Sequence, residues 1–136
     1  MATIEKFEDL DVWQKARELC KLIHKYTLNG SFAKYFFLKD QIKRSSGSIM
    51  DNIAEACLPA RQGFDRGGKK EFIQFLFISK FSSSETKSQL YRALDYGHIN
   101  QEEFEIAYNK CAEIASIETG LINYLKNSPY KGKKHI

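Results

Sequence analysis

The sequence predicts an all-α, antiparallel up-down-up-down four-helix bundle, and three observations predict it. Apolar residues recur at three- and four-residue spacing through four segments of matched length, about 10–29, 33–57, 69–95 and 100–127. The two prolines, Pro59 and Pro129, fall outside those segments, so nothing forces a break within them. The connections at 30–33 and 96–99 are short enough to require antiparallel neighbours.

The first segment follows Phe7-Glu8-Asp9-Leu10, where Asp9 or Asp11 is expected to cap the helix. Val12, Ala16, Leu19, Ile23 and Tyr26 form its inward stripe, widened by Trp13 and Cys20, and Asn29-Gly30 supplies the stop. The second segment places Leu38, Ile42, Ser45, Ile49, Ile53 and Ala56 on one face and ends before Pro59. Gly63, Gly67 and Gly68 then mark a connection that is long for a bundle. The third places Phe72, Leu76, Ser79, Ser83, Thr86, Leu90 and Leu94 on one face until Tyr96-Gly97-His98 interrupts it. The fourth opens on Asn100-Gln101-Glu102-Glu103, a capping-box pattern, and repeats Phe104, Ala107, Cys111, Ile114, Glu118, Leu121 and Leu125. Glu118 is the one charge in that stripe.

At 136 residues, 43% hydrophobic and 28% charged, the chain is large enough to bury a core without metals or disulfides. A single bundle domain over 1–128 is expected, followed by a basic, flexible tail at 129–136 containing Lys131, Lys133 and Lys134. Met1-Ala2-Thr3-Ile4-Glu5-Lys6 lacks the pattern of a secretory signal and no apolar run suggests a membrane span, so a cytoplasmic protein is expected. Cys20, Cys57 and Cys111 lie far apart without a C-x-x-C pair, which reads as buried thiols.

The third segment carries a second apolar line. Ile73, Phe77 and Phe81 lie 100° to 180° around the helix from Phe72 and Leu76, and Ser84, Ser88 and Tyr91 continue it. A monomer would leave that line facing water, so these six residues are read as an oligomer interface; the alternative is that the 58–68 loop, or a slight rotation of the helix, covers them. On the second segment, Gln41, Ser48, Asn52 and Glu55, with Arg44 nearby, form a polar line read as a structural hydrogen-bond network.

Catalytic patterns are weak. No Glu-x-x-His pair is present; Asp95-Tyr96-Gly97-His98 occurs once at a helix end, and His24 with Cys20 makes at most half a metal site. Ser82-Ser83-Ser84 lacks a nearby histidine base, and Gly67-Gly68-Lys69-Lys70 lacks P-loop spacing and a preceding strand. Neither an enzymatic role nor a cofactor is expected. Residues 31–99 carry eleven Lys/Arg against seven Asp/Glu, whereas 100–128 carry two against five, so one side of the bundle is expected to be basic and another acidic. Lys39, Lys43, Arg61, Arg66, Lys69, Lys70, Lys80, Lys87 and Arg92 are the candidate phosphate contacts to RNA or DNA.

The strings Phe7-Glu8-Asp9-Leu10-Asp11-Val12-Trp13-Gln14-Lys15-Ala16, Gln41-Ile42-Lys43-Arg44-Ser45-Ser46 and Ser48-Ile49-Met50-Asp51-Asn52-Ile53-Ala54-Glu55 closely resemble the 23S rRNA intervening-sequence proteins. Lys70-Glu71-Phe72-Ile73-Gln74-Phe75-Leu76 and Ser88-Gln89-Leu90-Tyr91 extend the resemblance, which covers about 7–126. It implies an antiparallel bundle assembled as a ring-like homopentamer, with no catalytic residues to carry over. A related branch, the accessory variability proteins of diversity-generating retroelements, implies a basic surface for nucleic acid and a reverse transcriptase as protein partner. Two departures from the family stand out: an insertion of about seven residues at 56–62, and Phe81-Ser82 where members commonly have Gly-Ser. The expected function is a non-enzymatic oligomeric scaffold for nucleic acid, structured RNA foremost. The alternative is a protein-interaction adaptor using the acidic fourth helix or the 56–68 loop.

Overall fold

The computed structural model describes residues 6–58 and 68–127. A short 3-10 turn, Phe7–Asp9, leads into α1 (Asp11–Thr27), a short α2 (Gly30–Lys34), α3 (Phe36–Ala56), α4 (Gly68–Asp95) and α5 (Gln101–Lys126). The four long helices form the bundle: α3 packs against α1 and α4, and α5 against α4 and α1, which closes a square. Tyr26 Oη on α1 donates to the Glu103 carbonyl of α5 at 2.8 Å, pinning the end of one helix to the start of its antiparallel neighbour.

The ends follow local chemistry. At the start of α5, Asn100 Oδ1 accepts from the Glu103 N–H at 2.8 Å, and Glu103 Oε1 accepts from the Asn100 N–H at 2.9 Å. That is a complete capping box. At the end of α4, Gly97 has φ +79°, His98 N–H bonds the Ala93 carbonyl at 2.8 Å and Gly97 N–H bonds the Leu94 carbonyl at 3.0 Å. Those two bonds define a Schellman stop that requires a left-handed residue, which glycine supplies without steric cost.

Three expectations are corrected. Neither Asp9 nor Asp11 caps α1: Asp9 closes the 3-10 turn, Asp11 is already helical, and Leu10 occupies the cap position without a side-chain bond. Residues 30–34 form a helical turn of their own, because Gly30 (φ +54°) reverses the chain and Tyr35 (φ −93°, ψ 78°) breaks it again before α3. The long second helix therefore begins at Phe36 and not near 33. Late in α4 and α5 the stripe drifts, burying Ala93 and Ile122 while Leu94 and Leu121 are half-buried, since three- and four-residue steps only approximate 3.6 residues per turn.

The core has two parts. A large cluster centred on Leu19, Ile23, Ile42, Ile49, Leu90 and Ile114 fills most of the bundle, and a smaller one of Ala56, Cys57, Phe72, Leu76, Ile122 and Leu125 closes the end where α3 stops. Serines line the α3–α4 and α4–α5 seams and let the backbones approach: Ser79 Oγ donates to the Ile49 carbonyl and Ser83 Oγ to the Cys111 carbonyl, each at 2.9 Å. Cys57 and Cys111 are buried and Cys20 half-buried; burial pushes the thiols up, to about 11 for Cys20 and about 12 for the others. No described helix is long and apolar enough to cross a membrane. The expected 129–136 tail and most of the 56–68 loop lie outside the described residues.

Candidate functional site

The outer face of α4 is not one continuous line. Phe81 points away from the core and is 64% exposed, with Ser84 and Ser88 also exposed. Ile73 and Phe77 are half-buried against the smaller core cluster, and the Lys126 ammonium lies 5.0 Å from the Phe77 ring. This corrects the expectation that Ile73 and Phe77 face water. At 100° per residue they stand beside the buried Phe72 and Leu76, close enough to lean inward, whereas Phe81 is half a turn away. Phe77 and Phe81 stack at 6.2 Å and, with Ile73 and Ile78, line an open apolar groove of about 780 Å³ whose polar edge includes Lys70. Tyr91, further along, turns instead toward Phe104 (4.8 Å) and Tyr108 (5.7 Å) of α5.

The polar line of α3 meets α4. Ser48 Oγ accepts from Ser82 Oγ at 2.8 Å and from Asn52 Nδ2 at 3.0 Å, while Gln41 Oε1 accepts from the Arg92 guanidinium at 2.6 Å. Arg44 is exposed and pairs with Asp40 at 3.0 Å, one turn back on its own helix. Glu55 is exposed. Sequence reasoning missed the buried centre of this seam: Ser45 Oγ bonds Gln89 Oε1 and Thr86 Oγ1 (2.8 Å). Its signal was present as polar residues on apolar stripes, but the partners lie 41 and 44 residues away. Gln41, Arg44, Ser45, Ser48, Glu85 and Gln89 line a polar cleft of about 320 Å³ along the seam.

The candidate cations fall in separate places. Lys39 and Lys43 sit at the start of α3, and Arg92 at the end of α4, on the same end of the bundle. Lys69 and Lys70 open α4 at the other end, roughly 35 Å from Arg92 along the helix. Lys80 lies between, facing the buried Glu118, and Lys87 caps the Tyr108 ring at 5.1 Å. Arg61 and Arg66 lie outside the described residues. Among the described residues the ion pairs involve Lys15, Lys21 and Arg44, so Lys39, Lys43, Lys69, Lys70, Lys80 and Lys87 have no carboxylate within salt-bridge distance. No group of three or more His, Cys, Asp or Glu side chains is placed to hold a metal among them.

The 23S rRNA-intervening sequence protein family model matches residues 8–120, most of the bundle. The chain belongs to that family. A solved structure of a protein of unknown function from the S23 ribosomal protein family of Bacteroides thetaiotaomicron VPI-5482 is similar to it, at 28% identity and a TM-score of 0.69. The similarity covers 82% of this chain and 97% of that one. No curated protein matches. Family membership accounts for the bundle, and neither the family's name nor the solved relative assigns an enzymatic activity.

One feature absent from the sequence-based site residues stands at the junction before α3. Phe36 is 74% exposed and Phe37 66%, beside an open groove of about 640 Å³ that they line with Lys39, Asp40 and Lys43. The only sequence signal is the run Tyr35-Phe36-Phe37, which is indistinguishable from core as long as the helix is taken to begin upstream of it.

Proposed function

We propose that this member of the 23S rRNA-intervening sequence protein family is a non-enzymatic, self-associating cytoplasmic scaffold that binds nucleic acid, structured RNA foremost. The observation that carries this reading is the set of lysines at both ends of the bundle without carboxylate partners among the described residues. Cations that are not neutralised internally are free to replace counterions along a phosphate backbone. The apolar groove around Phe81 supports self-association, because soluble surfaces seldom leave two phenyl rings and two isoleucines side by side. A ring, five copies by the family resemblance, would repeat each basic end and turn weak single contacts into avid ones. The family name makes RNA the first ligand to test.

The test is a titration of a structured RNA and a duplex DNA at two salt concentrations. Affinity falls steeply with salt, and Lys69→Glu/Lys70→Glu lowers the slope of log K against log salt by about two, one per lost phosphate contact. A flat titration with both ligands at low salt refutes nucleic-acid binding. Phe81→Asp lowers the solution mass in light scattering; an unchanged mass removes the groove as the interface.

A further inference from the structure

Phe36 and Phe37 occupy the first two positions of α3 and are the most exposed large apolar side chains of the described structure, at 74% and 66%. Adjacent helical positions are 100° apart, so the two rings do not form one packed plate but offer separate faces. The cations around them are placed to complement a polyanion. Lys39 Nζ is 5.9 Å from the Phe36 ring centroid, Lys43 follows one turn later, and the exposed Lys34 precedes them. The one carboxylate of the groove, Asp40, is engaged by Arg44 at 3.0 Å, which leaves the ammonium groups to set the local charge. Phe36 and Phe37 stand at the N-terminus of α3, where Tyr35 provides no side-chain cap and the positive end of the helix dipole lies. At this end of the bundle Tyr35 and Tyr96, both exposed and in edge contact at 5.9 Å, extend the aromatic surface.

We infer that the Phe36–Phe37 pair, with Lys39 and Lys43, is a stacking site for unpaired bases of a single-stranded nucleic acid, as in the loop of a folded RNA. This rests on the nucleic-acid reading above and gives it a position and a ligand form. Rings interleaved with lysines suit a strand whose bases stack while its phosphates pass the ammonium groups. The same interleaving disfavours burial against the apolar face of a second copy, since that would strip water from Lys39 and Lys43 without returning a polar partner. Duplex bases are already stacked and offer the rings nothing.

The experiment uses the full chain and three labelled probes of about 20 nucleotides, an oligouridine, an oligothymidine and an RNA duplex, followed by fluorescence anisotropy. Phe36→Ala/Phe37→Ala weakens the single strands about tenfold or more and leaves the duplex within about twofold. Phe36→Trp/Phe37→Trp restores binding, and Phe36→Leu/Phe37→Leu, which keeps apolar area but no ring, behaves like the alanine pair. A larger loss for the oligouridine than for the oligothymidine assigns the site to RNA; equal losses assign it to single strands of both kinds. If the alanine pair binds single strands normally while Lys69→Glu/Lys70→Glu weakens them, the stacking site is wrong and the broader function stands. Wild-type protein that binds none of the probes overturns both. A leucine pair that behaves like wild type, with a lowered solution mass only in the alanine pair, shows the rings to be a contact between copies and overturns the site.

Discussion

Glu118 is fully buried in α5, and neither carboxylate oxygen has a hydrogen-bond partner. The Ser79 hydroxyl donates its single proton to the Ile49 carbonyl at 2.9 Å, so it and the Lys80 ammonium only partly offset burial. Burial raises the acid from 4.5 to about 7. An unfolded chain releases this proton near pH 4.5 and the folded protein holds it until near pH 7, so stability falls as pH rises across that window and levels off above it. The difference is worth about 3 kcal/mol at pH 8. Glu118→Gln, which is neutral throughout and nearly the same shape, is therefore expected to match the wild type near pH 4.5. It gains about 3 kcal/mol over it at pH 8. Urea unfolding of both proteins at fixed concentration across pH 4.5–8 measures this, and taking the difference cancels every other titrating group. A stability difference that does not change with pH refutes the buried, unpartnered carboxylate.

Two further outcomes follow from local structure. Asn100→Ala removes the acceptor for the Glu103 N–H and is expected to cost about 1 kcal/mol in urea unfolding, with Asn100→Asp nearly neutral; equal stability of the alanine variant would mean that the capping box contributes nothing. The raised, buried thiols of Cys57 and Cys111 stay protonated at neutral pH, so a disulfide-exchange reagent should label them only as fast as the protein opens, and rapid labelling of more than the half-buried Cys20 in the native protein would contradict their burial.

The candidate site was legible in part. The apolar surplus of α4 was visible as residues in excess of one face, and so was the polar line of α3, because both are periodicities within single helices. Which members of the surplus stay exposed was not visible. Ile73 and Phe77 are half-covered because Leu125 and Lys126 of α5 reach that side, a contact across about 50 residues of chain. Similarly, charge counts along the sequence suggested one basic side, whereas the packing of α3 against α4 places Lys39 and Lys43 at one end and Lys69 and Lys70 at the other.

By itself the sequence determined four helices, their approximate ends and their core faces, since spacing, glycine stops and the Asn100 box act within a few residues of one another. Only the tertiary structure decided what those helices present outward. The break at Tyr35 sets the start and rotation of α3 and so leaves Phe36 and Phe37 in water, while the fit of α4 against α5 seals Glu118 away from it. Exposure belongs to the packing of whole helices, each rotated to satisfy two neighbours at once, and no local stretch of sequence carries that information.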